Sequence, residues 1–178
     1  DREVKNLIDY ATQKADSPVA ALNALKRARL AQIKRDQANR NLMVVAQGRG
    51  IPSPYDTAAV ETLIRNALGS MKLQVQAENN SLQAEIQQAL ATLGVPVVEQ
   101  SNLKLSGELD VAPVEQKQAW YWMRGSYELV FRDGTKVLAK QRWPVKVSST
   151  EVNLLQQRVR DEINSKLPGY VFELLSSQ

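Results

Sequence analysis

The spacing of apolar residues changes several times along the chain, and each change predicts an element. Val4, Leu7, Ile8, Ala11 and Ala15 recur at helical spacing, which predicts a short amphipathic helix at the start. Asp16-Ser17-Pro18 interrupts it and opens a second helix. Ser17 is placed to cap that helix, and Pro18 fits the first turn, where a missing N–H costs nothing. The second helix is Ala-rich, free of Gly and Pro, and expected from Pro18 to Arg40. Its apolar stripe is thin: Leu22, Leu25 and Ile33 align, with Arg29 among them, as in a helix that is lightly packed or faces a partner.

From Asn41 the period shifts. Leu42 to Gln47 reads as a short apolar strand ending in Gly48-Arg49-Gly50. Ser53-Pro54 predicts a helix start, with Asp56 in its first turn; Val60, Leu63, Ile64, Ala67 and Leu68 form its buried face, and Gly69 ends it. Met71, Leu73, Val75 and Ala77 then alternate with polar residues as a half-buried strand. Asn80 and Gln83 resemble a capping box, opening a helix that carries Leu82, Ile86, Ala89, Leu90 and Leu93 and stops at Gly94.

Beyond Gly94 the pattern is that of a meander. Val95 to Glu99 is a brief apolar piece, and Leu103, Leu105, Leu109 and Val111 alternate up to Pro113. Glu115 to Gln118 reads as a polar loop before a long strand from Trp120 to Arg132. Asp133-Gly134 predicts a two-residue hairpin turn, which sets Val130 opposite Val137 and Glu128 opposite Ala139 on a return strand from Thr135 to Val147. Ser148 and Glu151 open a final helix with the stripe Val152, Leu155, Val159 and Ile163; Pro168-Gly169 ends it, and Tyr170 to Leu175 reads as a closing strand. The fold class expected is α+β: a mostly antiparallel sheet with helices packed on one face, preceded by an N-terminal helical arm. The arm spans residues 1–40 and the α+β domain residues 41–178.

Several segments carry a family likeness. Lys72 to Ala77, Asn80-Ser81-Leu82-Gln83-Ala84-Glu85-Ile86, Leu93-Gly94-Val95 and Leu103-Lys104-Leu105-Ser106-Gly107-Glu108-Leu109 occur in succession. Trp122-Met123-Arg124-Gly125-Ser126-Tyr127-Glu128-Leu129, Asp133-Gly134 and Lys146-Val147-Ser148 follow. This order resembles the accessory domains of small bacterial envelope lipoproteins: penicillin-binding-protein activators, the flagellar assembly T protein and curli-type secretion lipoproteins. Val44-Val45-Ala46-Gln47-Gly48-Arg49-Gly50, with the helix and strand after it, is similar to the small domain found alongside them. The resemblance implies a periplasmic or outer-membrane-associated module, and a lipid-bearing Cys ahead of Asp1 as membrane tether. It supplies no catalytic residues. The start at Asp1 rather than Met reads as a processed or trimmed product.

Composition narrows the chemistry. The chain has no Cys and no His, which excludes thiolate nucleophiles, disulfides, Ser–His–Asp and Cys–His catalysis and the usual zinc sites. No enzyme, cofactor or metal is expected. Glu108 with Asp110, and Asp161 with Glu162, are carboxylate pairs without the apolar setting that raises a pKa, and read as solvated charge. The net charge of +4 is modest, but Lys26, Arg27, Arg29, Lys34, Arg35 and Arg40 stand against the single acid Asp36 in one stretch.

Three groups of residues remain as candidate binding positions. Gly48-Arg49-Gly50, after a strand and before a helix, reads first as a tight turn that needs small residues; the alternative is an anion site, with Arg49 presenting its guanidinium beside backbone N–H groups. The basic helix reads as a solvated or partner-facing face, or as a phosphate grip. Trp120, Trp122, Arg124 and Trp143 concentrate aromatic and cationic groups in one hairpin, the composition of a protein interface or of a base-stacking platform. The function expected is a non-enzymatic envelope module that binds a protein partner, with homo-oligomerisation through the arm open. The alternative is nucleic-acid binding by the basic helix and the Trp hairpin.

Overall fold

A computed structural model describes residues 1–177, and the chain divides into a helical unit, Asp1–Met71, and an α+β unit, Lys72–Ser177. The division falls at Met71 rather than at residue 40, because the predicted arm is only part of a three-helix unit.

In the helical unit α1 (Arg2–Gln13), α2 (Pro18–Val45) and α3 (Thr57–Ser70) pack together. The central α2 touches both neighbours through small residues: Ala21, Ala24 and Ala28 are buried with Leu22 and Leu25. Ile33, assigned to the stripe, is 49% exposed. Alanines give no strong hydrophobic signal yet allow two helices to approach closely, so the packing of α2 was hard to see in its pattern. Asp56, not Ser53, caps α3, its carboxylate accepting from the Ala58 N–H at 3.0 Å.

The strand predicted at Leu42–Gln47 is helix. α2 runs to Val45 and stops when Gln47 (φ 52°) and Gly48 (φ 88°) turn left-handed, the Gly48 N–H reaching back to the Met43 carbonyl at 2.7 Å. This six-to-one bond is the Schellman stop, which places the glycine beyond the helix rather than beyond a strand.

In the α+β unit β1 (Gln74–Ala77) runs parallel to β2 (Leu103–Val111), and β2 is antiparallel to β4 (Trp120–Asp133). β3 (Glu115–Lys117), predicted as loop, also pairs antiparallel with β4, making a small hairpin of Glu115–Trp122. β5 (Lys136–Ser149) pairs with β4 alone and forms an edge. Two helices, α4 (Asn80–Leu93) and α5 (Leu155–Leu175), pack on the sheet and on each other. Asn79 caps α4, accepting from Leu82 N–H, and Gly94 ends it. Leu105, Met123, Tyr127, Leu129, Phe131 and Val145 from the sheet are buried together with Ile86, Leu90, Val159 and Ile163 from the helices.

Two expectations near the C-terminus fail. α5 does not end at Pro168-Gly169, and no closing strand follows: the helix continues to Leu175, burying Leu167, Val171, Leu174 and Leu175. Val152, placed in its stripe, lies in a short 3-10 turn and is 51% exposed. The hairpin register also differs. Asp133 pairs with Lys136, so the loop is Gly134-Thr135, and Leu138 is an extra residue between the pairs Phe131–Ala139 and Arg132–Val137. Glu128 therefore faces Arg142 rather than Ala139, and Val130 faces Lys140 rather than Val137. An odd slip of register exchanges the faces of a strand. The predicted register puts Trp143 on the face of Arg124; the bulge puts it opposite Tyr127, in the core.

Candidate functional site: the uncovered face of the sheet

The two helices of the α+β unit, α4 and α5, pack on one face of the sheet, and among the described residues of that unit no helix lies on the other. Along β4 that face carries Trp120, Trp122, Arg124, Ser126, Glu128, Val130 and Arg132, because alternate residues point the same way. Directly opposite residues share a face, so Lys140, Arg142, Pro144, Lys146 and Ser148 of β5 join them.

Trp120 is 46% exposed and Trp122 half-buried, with the Lys146 ammonium 4.8 Å from the Trp122 ring centre. A cation over an indole face both holds the ring and leaves its rim for contact. Arg124, directly opposite Lys146, is exposed. The loop and hairpin beyond them are exposed throughout residues 111–120, Val111 and Val114 included. On the helix side of the same end, a groove of about 330 Å³ is floored by Leu82, Leu109, Val111, Met123 and Val159.

Further along the face Glu128 is the one charged residue buried in it. In register it lies between Glu108 of β2 and Arg142 of β5. Like charges directly opposite repel, and the balance is restored from β5: Lys140 Nζ sits 3.0 Å and Arg142 Nε 3.1 Å from its carboxylate. The bond from Lys140 leads in holding the Glu128 carboxyl below the usual range; partial burial works against it, and the bond from Arg142 with it. Arg132 donates to Ser106 Oγ at 3.1 Å, fixing a further cation on the same face. No single letter of this triad stood out in the sequence, because its register depends on the bulge at Leu138.

The structure thus separates residues that the sequence grouped. Trp120, Trp122 and Arg124 stand together on the open face. Trp143 does not join them: it is buried on the helix side, stacked on Tyr170 with ring centres 4.1 Å apart and planes 11° from parallel. Arg49 belongs to the other unit, and the backbone N–H groups of its loop are already engaged, which leaves only its guanidinium for an anion. The N–H groups of Gly48, Arg49 and Gly50 are engaged by the carbonyls of Met43, Ala46 and Gly48, and α3 begins only at Thr57. In the basic helix Arg29 pairs with Glu61 at 3.3 Å, and Arg35 with Asp1 at 3.0 Å and Asp36 at 3.8 Å. Lys34 and Arg40 are exposed, Arg27 is exposed and Lys26 half-buried, so these cations form no continuous stripe. Among the described residues no group of three Asp or Glu comes together as a metal site.

The sequence matches no family model and no curated relative. Among solved structures, a minor lipoprotein from Acinetobacter baumannii is similar over 60% of this chain and 90% of its own length, at 12% identity and a TM-score of 0.47. A chain assigned as a lipoprotein from Caulobacter crescentus is similar over 64% and 92%, at 16% identity and a TM-score of 0.44. The rare lipoprotein B of Shewanella oneidensis is similar over 60% and 92%, at 12% identity and a TM-score of 0.38. Likeness of this order does not extend to a site or a chemistry.

Proposed function

We propose that this chain is a non-enzymatic module of the bacterial cell envelope that binds a protein partner through the uncovered sheet face, at its Trp120–Arg124 end. The observation that carries the reading is the juxtaposition of Trp122, pinned under Lys146, with exposed Trp120 and Arg124 at the end of a protruding hairpin. Trp and Arg are enriched among the residues that dominate binding energy: Trp offers a large rigid contact, and the planar guanidinium of Arg offers several donors in a fixed geometry and stacks on rings. By register the face carries the cations Lys104, Lys117, Arg124, Arg132, Lys140, Arg142 and Lys146 against the acids Glu108, Asp110, Glu115 and Glu128, so the matching surface is acidic around an apolar pocket. Envelope placement rests on the sequence resemblance of residues 72–148.

The test is crosslinking from the site. A photoreactive side chain at Gln118, on the hairpin tip, is activated in envelope extract for the parent protein and for a Trp122→Ala, Arg124→Glu variant. The reading expects defined adducts that the double substitution removes while circular dichroism stays unchanged. Adducts identical in both proteins, or none in either, overturn it.

A further inference from the structure

The far end of α2 carries an apolar knob that the fold holds out into solvent. α1 and α3 run back along α2 from one level: Asp1 pairs with Arg35, and Thr57 Oγ1 donates to Asp36 at 3.3 Å. Past Asp36 the helix continues to Val45, about 13 Å at 1.5 Å per residue beyond the level at which α1 and α3 begin, with the returning loop beside it. This extension ends in Leu42-Met43-Val44-Val45, exposed by 39%, 42%, 83% and 83%, and Ile51 of the returning loop is 60% exposed.

This end is built rather than frayed. The Schellman bond closes the helix, the Ile51 N–H donates to Asn39 Oδ1 at 2.7 Å, and Arg35 Nη2 donates to the Ile51 carbonyl at 2.5 Å. Gly50 lies so close to α2 that a Cβ there would stand 2.7 Å from Met43 Cγ. Between residues 37 and 55 there is no acid, and the two cations, Arg40 and Arg49, flank the knob. Arg40 bonds only to Gln37, and Arg49 forms no ion pair among the described residues.

We propose that this knob inserts into an anionic lipid surface, with Val44, Val45 and Ile51 entering the interface and Arg40 and Arg49 meeting the headgroups. Apolar insertion ringed by cations is the pattern of peripheral membrane contact. A second copy is the poorer occupant. Five side chains offer roughly 500 Å², short of the ~800 Å² per partner of a stable interface, and a two-fold contact would gather Arg40 and Arg49 of both copies around one patch without an acid between residues 37 and 55. No helix among the described residues is long and apolar enough to cross a membrane. The inference stands apart from the sheet-face reading, since it concerns the other unit.

The experiment is cosedimentation of the chain with vesicles of equal parts phosphatidylglycerol and phosphatidylcholine, and with phosphatidylcholine alone. Binding is expected to the mixed vesicles, to weaken about fivefold for each of Arg40→Gln and Arg49→Gln, and to fall with added salt. Val44→Glu with Val45→Glu should lower it at least tenfold, with an unchanged circular dichroism spectrum. Light scattering on the free protein supplies the second readout. No sedimentation with either vesicle, binding indifferent to the valine changes, or a dimer that those changes dissolve would each overturn the proposal.

Discussion

The stack of Trp143 on Tyr170 is the sharpest test of the fold, because it exists only if two departures from the sequence pattern are both real. The bulge at Leu138 must turn Trp143 inward, and α5 must pass through Pro168 to carry Tyr170 over it. Trp143 is 8% exposed, so truncation to Ala would cost about 3–5 kcal/mol, close to the whole stability of a small domain. Leu is therefore the better replacement. Trp143→Leu keeps apolar bulk and should cost roughly 2–3 kcal/mol, and Tyr170→Leu, at a half-buried ring, about 1 kcal/mol. Parallel rings 4.1 Å apart contribute about 0.5–1.5 kcal/mol beyond their buried area, so the double variant should lose about 1 kcal/mol less than the sum of the single ones.

Urea unfolding of the four proteins measures this coupling. All three Trp lie in the α+β unit, so the fluorescence of Trp120 and Trp122 reports that unit alone after Trp143 is replaced. The denaturant slope must stay constant across the set for the free energies to be compared. A coupling within ~0.3 kcal/mol of zero would refute the stack, and with it either the inward turn of Trp143 or the continuation of α5.

Two further outcomes follow from single groups. Tyr127 is fully buried, its hydroxyl lacks a partner among the described residues, and burial pushes its ionisation well above the usual phenol range. Tyr127→Phe removes an unpaired polar atom and should raise stability by about 1 kcal/mol in the same urea assay; a loss of that size would mean the hydroxyl holds a bond. Glu128 is held ionised by Lys140 and Arg142, so its folded pKa lies below its unfolded value of about 4.3. Its contribution is therefore complete above about pH 4.3 and is lost as pH falls through the folded pKa. Thermal midpoints from neutral to acidic pH should fall more steeply for the parent than for Glu128→Gln, and parallel curves would show that the triad adds nothing.

The elements legible in the sequence were those with their own start and stop chemistry. Pro18 at a first turn, Gly94 after Leu93 and the alternation of Leu103–Val111 are local signals, and the structure keeps them; the start of α4 was off by one, its cap being Asn79 rather than Asn80 of the expected box. What was not legible depended on tertiary burial. Leu42–Val45 is too short an apolar run to tell strand from helix, and its glycine sits one residue past the left-handed Gln47. Pro168 removes a helix bond at about 3 kcal/mol, yet Leu167, Val171, Leu174 and Leu175 keep helical spacing across it, and each buried side chain returns about 1.5–3 kcal/mol. The candidate site divided along the same line. Trp120, Trp122 and Arg124 share a face by simple alternation, whereas excluding Trp143 required an extra residue in a run of three apolar ones, Val137-Leu138-Ala139, where alternation gives no register.

The same register decides how a partner can be met. β5 is a fourteen-residue edge, the natural place for another chain to add a strand. Its composition opposes this: Lys136, Lys140, Arg142 and Lys146 recur along it, Pro144 lacks an N–H, and the bulge at Leu138 breaks the ladder. These are the devices by which exposed edges avoid pairing. With strand addition disfavoured, the proposed recognition falls to side chains: Lys146 stands beside Trp122 and Arg124, and Arg142 and Lys140 follow further along the same face. On the proposed reading one set of residues serves both ends: Lys140, Arg142 and Lys146 oppose indiscriminate backbone pairing and add the positive charge by which an acidic partner surface would be selected. Removing Lys140, Arg142 and Lys146 together should therefore weaken selectivity and raise self-association in the same variant. A guard that acted only on the edge would change the second and leave the first alone.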